Sequence, residues 1–220
     1  MTNVLIIGAT GSVGQVTRNY FLQNSNDSLT LMARHTDRLR NLNADREHVI
    51  AGSVTDPAIL KQALAGQDVV FAALSGDLPR MAQALVDGMD EAGVQRLLFI
   101  SSMGIYNEIP ASVGASGNLD SNPMLSSYRR AADIIEASGL NYTVIRPGWF
   151  DSGNDTDYRI THKGEAFGGH DVSRVSIADL VLRLAHDPKL GSRSRLLLYS
   201  RPCPSSLGWQ ELVILPLQCG

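Results

Sequence analysis

A glycine-rich segment near the start of the chain has the spacing of a phosphate-binding turn. Gly8, Gly11 and Gly14 follow an aliphatic run at residues 4–7 and precede a helical pattern of apolar residues. Gly8 permits a sharp turn, Gly11 lets the backbone approach a diphosphate because it has no Cβ, and Gly14 lets the helix pack closely on the strand. The free N–H groups at the start of that helix favour an anion. This context predicts a dinucleotide site, and the alternative is a tight turn with no ligand. The predicted contacts of this turn are Gly8, Thr10, Gly11, Ser12, Val13 and Gly14.

The residue at the end of the second predicted strand, about 20 residues past the glycines, discriminates between the two nicotinamide nucleotides. An acidic residue there would accept hydrogen bonds from a ribose 2′-hydroxyl, but this chain has Arg34. An arginine can pair with a 2′-phosphate through two hydrogen bonds, and Arg38 lies near enough in the chain to assist. The sequence therefore predicts NADP as the cofactor, with NAD still possible. The alternative is that Arg34 is an ordinary solvated surface cation.

Further cofactor contacts are expected where the other predicted strands end, because ligands of open α/β sheets bind at the carboxyl ends of the strands. Residues after the third strand would flank the adenine, small residues after the fourth would let the ribose and phosphates pass, and those after the sixth would lie near the nicotinamide. Each of them is equally compatible with a loop-forming or packing role. They are Ser53, Val54, Ala72, Ala73, Leu74, Ser101, Pro147, Gly148 and Trp149.

Strand and helix patterns alternate along the chain in the order needed to bring these strand ends together. Short apolar runs predict strands at 4–7, 29–33, 48–51, 69–74, 96–100 and 142–145, with a last candidate at 196–199. Apolar stripes of helical period lie between them, and Asp56-Pro57 is typical of a helix start. Such βα repeats predict an α/β protein with a Rossmann-like, doubly wound parallel sheet and helices on both faces.

Three segments depart from this alternation. Residues 101–123 are polar and rich in glycine, serine and asparagine, and loops of this length are often functional. Residues 151–175 show little periodicity and predict a small C-terminal cap over the carboxyl edge of the sheet. We expect one nucleotide-binding domain over 1–200, followed by an atypical tail at 201–220. The tail is compatible with a docking strand, an oligomer contact or a frameshift remnant.

Composition and charge argue against several classes of protein. The chain has 220 residues, 44% of them hydrophobic and 19% charged, as in ordinary globular proteins. A net charge of −3 argues against a nucleic-acid partner. Both cysteines, Cys203 and Cys219, lie in the tail, which argues against a disulfide framework, and the histidines lack metal-ligand spacing, so no metal is expected. No apolar run reaches the roughly 18 residues of a membrane span. A cytoplasmic protein with a small-molecule substrate is expected, with no membrane partner and its oligomeric state open.

Several motifs resemble the atypical short-chain dehydrogenase/reductases of the NmrA-like, NAD(P)H-binding branch. They are GATGSVG at 8–14, the serine pair at 101–102 and SGLNYTVIRPGWF at 138–150. The stretch DYRITHKGEAFGGHDVSRVSIADLV at 157–181 resembles the bacterial single-domain, epimerase/dehydratase-like members. The resemblance covers roughly residues 3–200 and implies a Rossmann-like fold with a nicotinamide cofactor above Gly8, Gly11 and Gly14.

The resemblance also implies catalytic residues, with one departure from the family pattern. Active short-chain dehydrogenases use a serine and a Tyr-x-x-x-Lys pair, which places Ser102 and Tyr128 in the serine and tyrosine roles. The lysine position is occupied by Ala132, and no lysine lies between Lys61 and Lys163. Tyr106 is a second tyrosine candidate. The alternative for Tyr128 is simple packing, because a phenol with a pKa of about 10 and no cationic partner is a poor acid.

Two functions of different classes follow. The first is an NAD(P)H-dependent oxidoreductase that transfers a hydride to a small carbonyl, quinone or flavin acceptor, with the cofactor carrying the chemistry. The second is a catalytically inactive NADP(H)-binding redox sensor, which the missing lysine favours. A nucleotide-sugar epimerase or dehydratase is a weaker third, since such enzymes usually need the Tyr–Lys pair and a larger substrate domain.

Overall fold

The structure, a computed structural model, describes residues 1–165 and 167–200, and its strands form one large and one small sheet. The strands are β1 (Asn3–Ile7), β2 (Ser28–Ala33), β3 (Glu47–Ala51), β4 (Val69–Ala72), β5 (Arg96–Ile100), β6 (Asn141–Pro147), β7 (Trp149–Asp151), β8 (Tyr158–His162), β9 (Asp171–Ser173) and β10 (Ser194–Ser200). The large sheet has the order β3-β2-β1-β4-β5-β6-β10-β8. Its strands pair in parallel, except that β8 runs antiparallel to β10. The winding direction changes between β1 and β4, where the ligand crevice of an open α/β sheet lies.

The central strands form because their sequences can be buried on both faces. Every residue of β4 and β5 is buried, and so are the last four residues of β1. Such continuous burial is typical of parallel strands covered by helices on both sides. The predicted α/β, Rossmann-like sheet is confirmed.

Helices cover both faces of the large sheet. They are α1 (Ser12–Asn24), α2 (Pro57–Leu64), α3 (Leu78–Ala92), α4 (Ser126–Ala137) and α5 (Arg174–His186). Helices α2, α3 and α4 pack over one hydrophobic cluster, and α1 and α5 pack over the other. The Asp56 carboxylate accepts hydrogen bonds from the N–H groups of Ala58 and Ile59 at 3.0 and 3.2 Å, which caps α2 where the Asp-Pro pair predicted a helix start.

The segment at 151–175 contains strands that the sequence pattern did not predict. Strand β8 extends the large sheet at its edge, and β9 pairs in parallel with β7 as a separate two-stranded ladder. The ladder strands have only three residues each, too few to show an alternation. The predicted tail at 201–220 lies outside the described residues. Across the part of the chain that the structure describes, no helix combines the length and apolar composition of a membrane span.

Candidate functional site

The turn between β1 and α1 takes a shape that two of its glycines make possible. Gly8 has a φ of +83°, and a Cβ there would lie 2.1 Å from the carbonyl oxygen of Ala73. A Cβ on Gly14 would lie 2.2 Å from the carbonyl oxygen of Gly8. Gly8 therefore lets the turn approach the end of β4, and Gly14 lets α1 pack against the turn itself.

Gly11 has a different place in the turn. It is exposed, and a Cβ there would meet only the Gly8 carbonyl oxygen, at 3.2 Å. It is also the N-cap residue of α1, which has no side-chain capping bond and no acidic residue in its first turn. The N-terminal N–H groups of this helix thus lack a side-chain acceptor, and such an end binds phosphate oxygens well.

A cleft of about 250 Å³ opens beside this turn and joins the ends of four strands. Eight of the predicted cofactor-binding residues line it, namely Gly8, Thr10, Gly11, Arg34, Ser53, Val54, Ala73 and Leu74. No residue in its lining is acidic. Residues that lie far apart in the sequence therefore meet at one cleft, where four strands end.

The rim of the cleft near β2 is cationic. Arg34 follows β2 directly, and Arg38 ends the short 3₁₀ turn Thr36–Arg38. Both arginines are exposed and line the cleft. Neither forms an ion pair with a carboxylate anywhere in residues 1–165 and 167–200. Two guanidinium groups are thus available to an anion at this end of the cleft.

The other predicted cofactor residues do not line the cleft. Ser12 is exposed on α1, whereas Val13, Gly14 and Ala72 are buried beside the turn. Ser101, Pro147, Gly148 and Trp149 lie where β5 and β6 end, farther along the same edge of the sheet. Ser101 is buried, and its hydroxyl has no hydrogen-bond partner among the described residues.

The two predicted catalytic residues lie at this same carboxyl edge. Ser102 follows β5, and its hydroxyl donates to the carbonyl oxygen of Met103 at 3.0 Å. Tyr128 lies in the first turn of α4, half-buried against the cluster under α2, α3 and α4. Ala132 is fully buried, while the nearby cation Arg129 is paired with Asp133 at 2.8 Å. The departure from the Tyr-x-x-x-Lys pattern thus leaves an apolar contact where the lysine would stand.

The second tyrosine candidate, Tyr106, is engaged elsewhere. Its hydroxyl donates to Glu136 in the last turn of α4. Burial and this carboxylate raise the pKa of the Tyr106 phenol far above its usual value. Cations lie over its ring, with Lys163 Nζ at 4.3 Å and Arg146 Cζ at 5.0 Å from the centroid. Tyr106 therefore fixes the loop after β5 against α4, and its proton is held there.

The sequence did not predict some of the residues that line the cleft. His35 and Ser75 lie one position beyond strand-end residues that were predicted, and Met81 enters from α3. The strand-end rule covers only the residues directly after a strand. It gives no signal for a side chain supplied by the first turn of a helix.

Comparison with known proteins agrees with this geometry. Residues 8–188 match a family described as NAD(P)H-binding. The chain belongs to this family. The predicted resemblance to NAD(P)H-binding, atypical short-chain dehydrogenase/reductases is thereby confirmed.

Individual relatives extend the comparison. The chain is 31% identical over 158 residues to the uncharacterized sugar epimerase YhfK of Bacillus subtilis, covering 66% of this chain and 71% of that protein. It is 29% identical over 150 residues to the NAD(P)H azoreductase of Xenophilus azovorans, covering 67% of this chain but only 48% of that protein. Among solved structures, a Rossmann-fold NAD(P)-binding family protein from Shigella flexneri superposes with a TM-score of 0.78 at 33% identity, covering 93% of this chain and 98% of that one.

Proposed function

We propose that the protein is an NADPH-dependent reductase that transfers a hydride to a small carbonyl, quinone or flavin acceptor. The observation that carries this proposal is the cleft at the glycine turn, which opens along the same sheet edge that holds Ser102 and Tyr128. Membership of an NAD(P)H-binding family supports the cofactor, and the name of the azoreductase relative supports reduction as the chemistry. The chain spans about half the length of that relative, so the acceptor is argued from this chain's own residues.

The choice of NADPH over NADH rests on the cationic rim. A 2′-phosphate is an anion that a guanidinium binds through two parallel hydrogen bonds, and Arg34 and Arg38 both line the cleft without a competing carboxylate. The cleft also lacks the acidic residue that would accept from a free ribose 2′-hydroxyl. NADH is the weaker alternative on both counts.

The chain's own residues have three tasks in this reaction. The N-terminus of α1 and the backbone at Gly11 bind the diphosphate, and Ser53 and Val54 flank the adenine. The bound nicotinamide supplies a hydride, which carries two electrons and one proton to the acceptor. The reduced acceptor must then gain one more proton, for which the hydroxyl of Tyr128 and water are the available sources. Ser102 would hold an acceptor oxygen by a hydrogen bond.

The burial of Ala132 favours a second candidate, a catalytically inactive NADP(H) redox sensor. Tyr128 lacks the neighbouring lysine that assists proton donation in the family pattern. Quinones and flavins tolerate this loss better than simple carbonyls, because less of their reduction depends on a protein acid. The same missing lysine argues against the epimerase reading that the name of the Bacillus relative suggests.

One experiment separates these functions. NADPH and NADH are first titrated into the purified protein, and NADPH oxidation is then followed with menadione, flavin mononucleotide and an aliphatic aldehyde. We expect NADPH to bind more tightly than NADH and to be oxidised by one or more acceptors, with lower rates in Ser102→Ala and Tyr128→Phe. Tight NADPH binding without oxidation by any acceptor would establish the sensor instead. No affinity for either nucleotide in a folded protein would refute both.

A further inference from the structure

Two aromatic rings stack on each other just beyond β6. The indole of Trp149 and the imidazole of His170 have centroids 4.3 Å apart and ring planes 25° apart. Both are open to solvent, since Trp149 is 40% exposed and the His170 side chain 60% exposed. Large aromatic residues are usually buried, so exposed flat rings held in one arrangement are candidates for binding a ligand.

The stack is held by close contacts that require glycine at the residue before each ring. The Trp149 N–H donates to the carbonyl oxygen of His170 at 3.1 Å. A Cβ on Gly148 would lie 2.4 Å from that same oxygen, and a Cβ on Gly169 would lie 2.0 Å from Cδ2 of Tyr199. The residues that precede the two rings therefore allow the β7–β9 ladder to close. The arrangement is built into the fold before any ligand arrives.

The imidazole has a further restraint. Its Nδ1 is hydrogen-bonded to the carboxylate of Asp171. This bond fixes one ring nitrogen and orients the ring plane against Trp149. Because the two rings are already ordered, the binding of a third ring against them costs little side-chain conformational entropy.

The pair also lies in the right place for a reducible substrate. Trp149 follows β6, whose neighbour β5 ends at Ser101 and Ser102. The six-membered ring of the indole also lies close to the long loop, because a Cβ on Gly117 would lie 3.5 Å from Trp149 Cζ2. The stack therefore lies at the carboxyl edge, on the opposite side of β1 and β4 from Arg34.

We propose that Trp149 and His170 form the acceptor subsite of this protein and that it takes a flat, conjugated acceptor, a quinone or a flavin ring, by stacking. This inference rests on the proposed reductase function and narrows it, because an aliphatic carbonyl has no π-face to stack. The reaction balances as acceptor plus NADPH plus one proton giving the two-electron-reduced acceptor plus NADP⁺. A quinone thereby becomes a hydroquinone, with water able to supply the proton.

The chain offers a matched control one residue away. Phe150 is 44% exposed and follows Trp149 in β7, so its side chain points to the opposite face of the ladder. There it lies under the guanidinium of Arg174, with Cζ 4.9 Å from the ring centroid. Phe150→Leu removes an exposed aromatic ring of the same strand without touching the stack.

The test measures binding separately from turnover. Menadione and flavin mononucleotide are titrated by calorimetry into wild type, Trp149→Leu, His170→Leu and Phe150→Leu, with and without oxidised NADP⁺. We expect Trp149→Leu to weaken both ligands about tenfold and His170→Leu to weaken them by less, with Phe150→Leu resembling wild type. Unchanged affinity in Trp149→Leu and His170→Leu would overturn the proposal, and so would equal losses in all three variants. Circular dichroism and the melting temperature report whether each variant is folded.

Steady-state kinetics separates this inference from the proposed function. If wild type oxidises NADPH, we expect Trp149→Leu to raise KM for menadione about tenfold and the control variant Phe150→Leu to keep the wild-type KM. Turnover of menadione with the same KM in wild type and Trp149→Leu would refute the subsite and leave the proposed reductase function in place. Loss of flavin binding in Trp149→Leu, in a protein that oxidises no NADPH, would support the subsite and refute the reductase.

Discussion

The hydroxyl of Tyr106 donates to the carboxylate of Glu136, which joins the loop after β5 to the last turn of α4. Glu136 also pairs with Arg195 of β10, so one carboxylate links a loop, a helix and a strand. Beside it, Arg146 of β6 pairs with Glu108, whose carboxylate accepts from the N–H groups of Gly104 and Tyr106 at 3.0 and 2.9 Å. The long polar loop is therefore tied to the sheet next to Ser102.

This network predicts different roles for the two tyrosine candidates. Tyr106→Phe removes a partly buried hydrogen bond and should lower the free energy of unfolding by about 1 kcal/mol, with little change in turnover. Tyr128→Phe removes a hydroxyl with no hydrogen-bond partner among the described residues, so stability should be unchanged, while turnover should fall at least about tenfold if this hydroxyl donates the proton. Urea unfolding and NADPH oxidation measure the two effects. The opposite pattern would make Tyr106 the proton donor.

The glycine turn can be tested with two glycines that have similar positive φ angles. Gly8→Ala places a Cβ 2.1 Å from the Ala73 oxygen at a φ of +83°, whereas Gly66→Ala has a φ of +72° and nothing within 4 Å. We expect Gly66→Ala to cost about 1 kcal/mol from its φ alone. Gly8→Ala should cost about 3 kcal/mol or more, because the backbone must also move.

Nucleotide binding provides a second measurement on the Gly8→Ala and Gly66→Ala variants. Gly8→Ala should lose NADPH affinity even in conditions where it remains folded, and Gly66→Ala should keep it. Calorimetric titration of both variants measures this. Equal affinity in the two would mean that the turn does not bind the diphosphate.

The cationic rim predicts cofactor preference. Arg34→Ala should weaken NADPH about tenfold, because a charged hydrogen-bonded pair with the 2′-phosphate is lost, and should leave NADH affinity nearly unchanged. Arg40→Ala is the matched control, since Arg40 is exposed in the same segment but does not line the cleft. An equal loss for NADPH and NADH would assign Arg34 a role other than binding the phosphate.

The Arg18–Glu47 pair predicts how stability depends on pH. The Glu47 side chain has no exposed surface. Burial alone would raise its pKa, but hydrogen bonds from Arg18 and from the Asn43 N–H outweigh burial, and the pKa of Glu47 is lowered. The stabilisation from a lowered pKa is fully present above the unfolded value of about 4.3 and is lost as the pH falls through the folded value.

Glu47→Gln should therefore be about 3 kcal/mol less stable at neutral pH, because it leaves the Arg18 charge without its partner. Its free energy of unfolding should also fall less than that of wild type between a pH of about 5 and about 3. Glu91→Gln, at an exposed position on α3, should follow the wild-type curve. Parallel curves for Glu47→Gln and wild type would contradict the assignment.

The strands that could be predicted are those whose burial is continuous. Every side chain of β4 and β5 is buried, so an apolar run marks each one directly. Strand β8 is only partly buried at the sheet edge, and it contains no continuous apolar run. Its place depends on pairing with β10, which a local pattern does not contain.

The residues of the candidate site likewise fall into those that the sequence predicts and those that it does not. Residues directly after strands, such as Arg34 and Val54, follow from the rule that ligands bind at strand ends. The hydrogen bond from Tyr106 to Glu136 could not be predicted, because the two residues lie 30 positions apart in the chain. The stack of Trp149 on His170 likewise joins two segments that meet only in the folded ladder.

The strand order has a practical consequence for altering this protein. Arg34 follows β2 and Trp149 follows β6, and three strands, β1, β4 and β5, lie between them in the sheet. The proposed sites of coenzyme preference and of acceptor preference are thus separated by three strands of one sheet. A substitution at Arg34 leaves the contacts of Trp149 in place, and a substitution at Trp149 leaves those of Arg34 in place. The effects of the two substitutions on binding free energy should therefore be additive.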